Sequence, residues 1–318
     1  MGKYTVTAGQ NLYDVALHIY GSIEGITDLM ICNPALSLDD TLASGQELSY
    51  SDDTVIDADV VAWYRNNGIS PAGGERNIYP KTFTLPLKAE IQIDATHKGA
   101  GMGLSARGMA EMEIDWGDNS KPDHPYFKDP KQLFHTFDNT VTGVRRIKLY
   151  GDPVVRSLDL TQMRPAAVYL YRPFPVEEFT LRNARTDIAF VSLLENVRTI
   201  DLQGTVPDSL LPLVDCKTLM ELDLRTEALN RESVDRYLSA LVEQYYGRRS
   251  CTIRLSAEPS GQYREPERDE SGRYRISSGL EAVWVLTHEE SWNEAGPWRI
   301  VVGEKEYTYQ PANTAANK

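Results

Sequence analysis

The chain has 318 residues, 41% hydrophobic and 25% charged, which is room for two or three soluble domains and too ordinary a composition for extended disorder. Forty-six acidic against 33 basic side chains leave a formal charge of −13. That excludes a general phosphate-backbone surface, because nucleic-acid binders present a basic face. Short basic clusters at Arg145-Arg146-Lys148 and at Arg248-Arg249 read as solvated faces.

The first residues enter Lys3-Tyr-Thr-Val6 directly, without the basic, apolar and cleavage regions of a secretory signal. Nowhere do 18 apolar residues run together, so no membrane span is expected. Cys32, Cys216 and Cys251 lie far apart, match no pairing framework or CxxC metal pattern, and read as free thiols in a reducing compartment. A chain kept in the cytosol, or carried outside within a larger particle, fits these features.

The opening segment reads strand, helix, helix, strand. Tyr4 to Thr7 alternates; Asn11 can cap a helix carrying Leu12, Val15, Ala16, Ile19 and Tyr20, which Gly21 stops. Ile26, Leu29, Met30 and Asn33 mark a second helix ended by Pro34, and Gly45 to Tyr50 supplies the closing strand. Tyr-Thr-Val-x-Ala-Gly-x-x-Leu12, Tyr20-Gly21, Asn33-Pro34 and Leu42-x-x-Gly45-Gln-x-Leu48 together resemble the LysM pattern over about 48 residues. The family's Gly-Asp-Thr-Leu turn is Gly9-Gln-Asn-Leu12 here, and the stretch from Ile19 to Leu29 looks more like LysM modules of contractile phage tails than those of wall hydrolases. The resemblance implies a shallow groove for N-acetylglucosamine units. Gly9, Gln10, Asn11 and Leu12 would form one side, and Asn33, Pro34, Ala35 and Leu36 the other.

Residues 51–80 read as a connector. Val55 to Tyr64 suits either a short helix or a strand, and Asn66 to Gly74 is turn-rich. From Lys81 the period changes to two: Phe83/Leu85/Leu87, Ile91/Ile93 and Met112/Ile114/Trp116 alternate with polar residues, as half-buried strands do. Gly99-Ala-Gly-Met-Gly103 reads as a flexible loop. Trp116-Gly-Asp118, then Leu133 to Phe137 and Arg145 to Gly151, resemble the PKD-type β-sandwich. Asp115 and Asp118 are either metal ligands or acceptors for turn amides near Gly117, and the absence of a further acidic cluster favours the turn.

Leu158-Asp-Leu160, Phe179-Thr-Leu181, Ile200-Asp-Leu202 and Leu222-Asp-Leu224 recur at steps of 21, 21 and 22 residues, with Ile253-Arg-Leu255 after a longer insert. This period resembles leucine-rich repeats, although the usual Asn/Cys position is met only loosely by Asn183 and Gly204. It predicts Leu160, Leu181, Leu202 and Leu224 in one buried row. The insert from Glu232 to Tyr246 is an amphipathic helix, 259–275 an exposed hairpin or loop, and 311–318 a tail. Ala282 to Leu286 and Trp298 to Val302 read as strands, with Trp292 and Trp298 either stacking sugars or, more in keeping with a Gly-Pro turn, closing a small core.

The expected fold is therefore multi-domain α+β: a LysM βααβ module (1–50), connector (51–80), PKD-like β-sandwich (81–151), leucine-rich-repeat-like α/β segment (152–258), and a β-rich C-terminal extension and tail (259–318). Five scattered histidines and the lack of HExxH, GxSxG, Walker or GxGxxG motifs point to a binding or structural part without cofactor or metal, not an enzyme. The expected role is a baseplate or tail-hub component of a contractile phage tail or phage-like injection particle assembled in the bacterial cytoplasm, contacting other tail proteins. The alternative is a peptidoglycan-binding protein.

Overall fold

The computed structural model describes residues 1–72, 81–106, 108–118, 120–127, 129–137, 143–244 and 250–309. The fold is mixed α/β, with many strands in several sheets and few helices, and it divides into two compact units, 1–80 and 81 onward. Arg248-Arg249, Tyr245-Tyr246 and the 311–318 tail lie outside the described residues. Among those described, no single helix is long and apolar enough to cross a membrane.

In the first unit β1 (Gly2–Thr5) and β2 (Glu47–Tyr50) pair antiparallel, with Tyr4 opposite Leu48. Between them run α1 (Leu12–Tyr20) and α2 (Ile26–Cys32). Gly21, at φ +72°, ends α1; a Cβ there would meet the Asp57 carbonyl at 2.1 Å. That close approach lets Ile56 and Asp57 donate their amides to the Tyr20 carbonyl at 3.0 and 2.9 Å. The undecided part of the connector is thereby a helix, α3 (Ala58–Asn66), whose first turn the Asp57 carboxylate caps.

From residue 81 on, the three segments separated in the sequence share one core. Strand Val155–Asp159 pairs with β4 (Gly99–Ala106), while Ala167–Leu170 pairs with β3 (Leu87–Asp94), so both sheets cross residue 151. Gly99 to Gly103 is the first part of β4, not a loop. Ala100, Met102 and Leu104 face the core, and glycines on the opposite face leave room for the Phe134 ring and the Gln132 and Gln162 side chains against the backbone. Strand pairing starts at Leu87, later than the alternation suggests, because the Glu113 carboxylate takes the Thr84 and Leu85 amides at 2.9 and 3.0 Å. Arg145 is no surface cation: it is buried, its guanidinium 3.9 Å from the Phe137 ring centroid.

The repeat strands lie parallel and in register, Leu158 beside Phe179, Ile200, Leu222, Ile253 and Ile300 in turn. Short 3₁₀ segments (Thr161–Met163, Ala189–Leu193, Leu211–Asp215) connect the earlier ones. Each repeated Asp ends its strand by accepting an amide two residues on: Asp159 from Thr161 at 2.8 Å, Asp201 from Gln203 and Asp223 from Arg225 at 3.0 Å. The leucines that follow carry the ladder one step further, Leu181 donating to Asp201 O and Leu202 to Asp223 O, both at 2.9 Å. Buried Thr205 fastens adjacent turns by donating to Leu181 O at 2.7 Å.

The later connections are helical. α4 (Arg231–Glu243) buries Val234, Tyr237, Leu238 and Leu241. Ala282 to Leu286, expected as a strand, lies within α5 (Gly279–His288). A short, wholly apolar run has no period to distinguish the two; here Ser278 caps the helix at the Glu281 amide, and α5 packs on α4. Trp292 and Trp298 are buried edge to face at 5.4 Å, closing core as the Gly-Pro turn suggested. Arg299–Val302 continues the parallel sheet and Lys305–Thr308 ends it antiparallel.

Leu160, Leu181, Leu202 and Leu224 are all at most 2% exposed. Leu202→Ala should therefore cost about 2–5 kcal/mol, the range for a core leucine, in a chemical denaturation of the full chain. A loss below about 0.5 kcal/mol would mean that the row is not core.

Candidate functional site

The two turns that the sequence singles out are both anchored on the small core of the first unit, through buried Leu12 and partly buried Leu36. Their polar side chains are turned inward. Gln10 is buried; its Oε1 accepts the Thr7 amide at 2.9 Å, and its Nε2 donates to the Pro71 carbonyl and the Tyr4 hydroxyl at 2.8 Å. Asn11 caps α1: Oδ1 accepts the Asp14 amide at 2.9 Å while Asp14 returns the bond to the Asn11 amide at 3.0 Å.

Asn33 acts as a substitute peptide group. Its Nδ2 donates to Leu29 O and Ser49 O at 2.8 and 2.7 Å, and its Oδ1 accepts the Ser49 amide at 2.9 Å. One side chain thus ends α2 and clamps β2. Gly9, Pro34 and Ala35 alone of the eight candidates are exposed, with Gly9 at φ +84° and no described residue within 4 Å of the place a Cβ would take. The surface these turns offer is small, largely apolar and built of backbone.

The Trp-Gly-Asp turn resolves in favour of turn chemistry. Asp115 accepts the Gly117 amide at 3.0 Å and the Lys81 ammonium at 2.6 Å. Asp118 accepts the Ser120 amide at 3.0 Å and meets His135 Nε2 at 2.8 Å, under a Trp116 ring stacked on the imidazole. Ser120, His135 and Asp118 thus come together, but Ser120 and Asp118 both face the same ring nitrogen. A proton relay needs the two nitrogens to serve different partners. Among the described residues no group of three or more His, Cys, Asp or Glu side chains is placed to hold a metal ion.

A concavity that the sequence did not disclose lies in the first unit. It encloses about 490 Å³ and is walled by Tyr4, His18 and Tyr50 on one side and by Val61, Tyr64 and Ile69 on the other. Burial, and secondarily the Arg65 charge, hold the His18 imidazole below its ordinary value. The signal available in sequence was the set of apolar residues among 55–69, of which Val55, Ile56, Trp63 and Ile69 prove to be exposed.

Comparison of the chain with protein-family models, with curated proteins and with solved structures finds no match.

Two expected outcomes follow from these geometries. Asn33→Ala removes the side-chain partner of both Ser49 backbone groups and should cost the first unit about 1–3 kcal/mol, seen as faster hydrogen exchange at the Ser49 amide. Burial pushes Asp118 and Glu113 up, but hydrogen bonds outweigh it. Ser120 and His135 hold the first, and the Leu85 and Thr84 groups the second, below the usual carboxylate values. Depressed carboxyls stabilise the fold above their unfolded values near about 4, and that stability is lost as pH falls through the lower folded values. The urea midpoint of the second unit should be flat from about pH 7 to 5 and fall below about pH 4, less steeply in Asp118→Asn. An equal acid slope in that variant would remove Asp118 from the account.

Proposed function

We propose that this chain is a non-enzymatic structural component of a contractile phage tail or phage-like injection particle, and that its first unit is a LysM-type module used mainly for docking. The observation that carries the preference for docking over sugar binding is the inward commitment of Gln10, Asn11 and Asn33. A site that recognises sugar hydroxyls and acetamido groups needs side-chain donors and acceptors pointing outward. Here those groups hold turns together, and Gly9, Pro34 and Ala35 offer shape and backbone.

The second reading, peptidoglycan recognition, keeps support from the exposed backbone at the same two turns. A single shallow groove gives weak contact with a polymer, and tight glycan binding normally comes from several modules acting at high effective concentration. The sequence holds one such module. Protein contacts that bury roughly 1,200–2,000 Å² suit the strand-rich remainder better.

Sedimentation with purified sacculi separates the two readings. Weak, non-saturating retention, with co-purification of sheath, tube or baseplate proteins from the native source, is expected. Saturable binding at about micromolar concentration that Ala35→Asp abolishes without changing the melting curve would make wall recognition primary.

A further inference from the structure

From the cleft of the first unit, we infer a docking site for a basic protein segment that inserts an aliphatic or aromatic side chain among Tyr4, Tyr50, Tyr64 and Ile69. The inference does not depend on membership of a particle: a chain that never entered one would keep the same cleft.

Three observations meet there. First, the cavity of about 490 Å³ is large enough for one or two bulky side chains and lies within the range of specific binding pockets. Its lining mixes the side chains of Tyr4, Tyr50, Val61, Tyr64 and Ile69 with polar groups, which make up the larger share of its exposed surface.

Second, the helix that walls the cleft is unfinished. α3 carries Val60, Val61, Trp63 and Tyr64, yet none of its residues is buried. Around it Val55, Ile56, Trp63 and Ile69 are 51, 45, 55 and 41% exposed. Ile56 and Trp63 extend the apolar area beyond the mouth of the cleft, so the footprint exceeds what a small molecule would cover. A patch of this kind marks a contact with another macromolecule.

Third, charge selects the partner. Residues 1–72 hold ten carboxylate side chains against two cationic ones, Lys3 and Arg65, so eight of the thirteen net negative charges fall in less than a quarter of the chain. Asp52 and Arg65 both line the cleft; Asp53 and Asp57 follow in the segment that leads into α3 and Asp59 lies in its first turn, all four carboxylates exposed. Asp52 is engaged by the Met1 amine at 2.8 Å and Asp57 by the α3 amides, which leaves Asp53 and Asp59 as the chief electrostatic attractors. Exposed carboxylates beside exposed apolar side chains speed and orient the approach of a basic segment and repel an acidic one.

The test uses the full chain and four labelled nonapeptides: lysine alternating with leucine and tryptophan, its glutamate twin, its lysine–serine twin and its serine–leucine twin. Fluorescence anisotropy should show the first binding best, at least about tenfold tighter than each of the others at about 50 mM salt, and weakening about tenfold by 300 mM. Asp53→Asn with Asp59→Asn, and separately Ile69→Lys, should each weaken it about fivefold with unchanged melting curves. Because a variant could unfold, the wild-type chain gives an independent reading by NMR: the Trp63 indole and the amides of 61–70 should shift on titration. The inference is overturned by equal binding of the glutamate or lysine–serine twin, by shifts confined to the second unit, or by no binding of the first peptide up to about 1 mM.

Discussion

The constraint on which the second unit depends is that none of its parallel strands can stand alone. Thr199–Asp201 and Glu221–Asp223 have three residues each, too few to bury an apolar face or satisfy a backbone without neighbours on both sides. Leu158, Phe179, Ile200, Leu222, Ile253 and Ile300 must therefore stack in register, because a slip of one residue would carry each row to the solvent face. In three of the repeats an Asp (Asp159, Asp201, Asp223) holds that register from the outside. By taking the amide two residues on, it ends the strand at the same depth each time, and the next leucine turns inward to continue the row.

The same requirement explains how the ends are finished. An open stack of strands would leave ladders of unpaired groups at both edges. On one side β4 reverses direction and brings Lys131–Thr136 as the last strand; on the other Arg299–Val302 is followed by the antiparallel Lys305–Thr308. Both final strands carry charged residues, and α4 and α5 cover the core where the 3₁₀ connections stop. The segments on either side of residue 151 are joined for this reason: each supplies strands that pair in the other's sheet.

The first unit works on a smaller scale and with different means. Its core contains few residues, so side-chain amides do much of the holding. Gln10 and Asn33 are spent on backbone groups. The polar surface around the turns is thereby thinned, while α3 presents aromatic and aliphatic side chains outward. A module arranged in this way favours shape and apolar contact over hydrogen-bonded recognition, in line with the docking role proposed for it.

Local pattern was enough to place the elements whose periods are long or repeated. The strand–helix–helix–strand order of residues 1–50, the α4 insert and the 21-residue spacing follow from side-chain periodicity and caps such as Asn11 and Gly21, which act over a few residues. Regions without a period needed the tertiary structure. Ala282 to Leu286 is equally apolar as strand or helix, and packing against α4 together with the Ser278 cap selects the helix; Gly99 to Gly103 becomes a strand because neighbours on both sides claim its backbone. The candidate turns were found by their residues, but whether Gln10, Asn11 and Asn33 point outward depends on Pro71, Asp14 and Ser49, the first and last of them distant in sequence. The cleft beside α3 was invisible for the same reason: exposure of Trp63 and Ile69 is a statement about what fails to cover them, and no local run of residues encodes that.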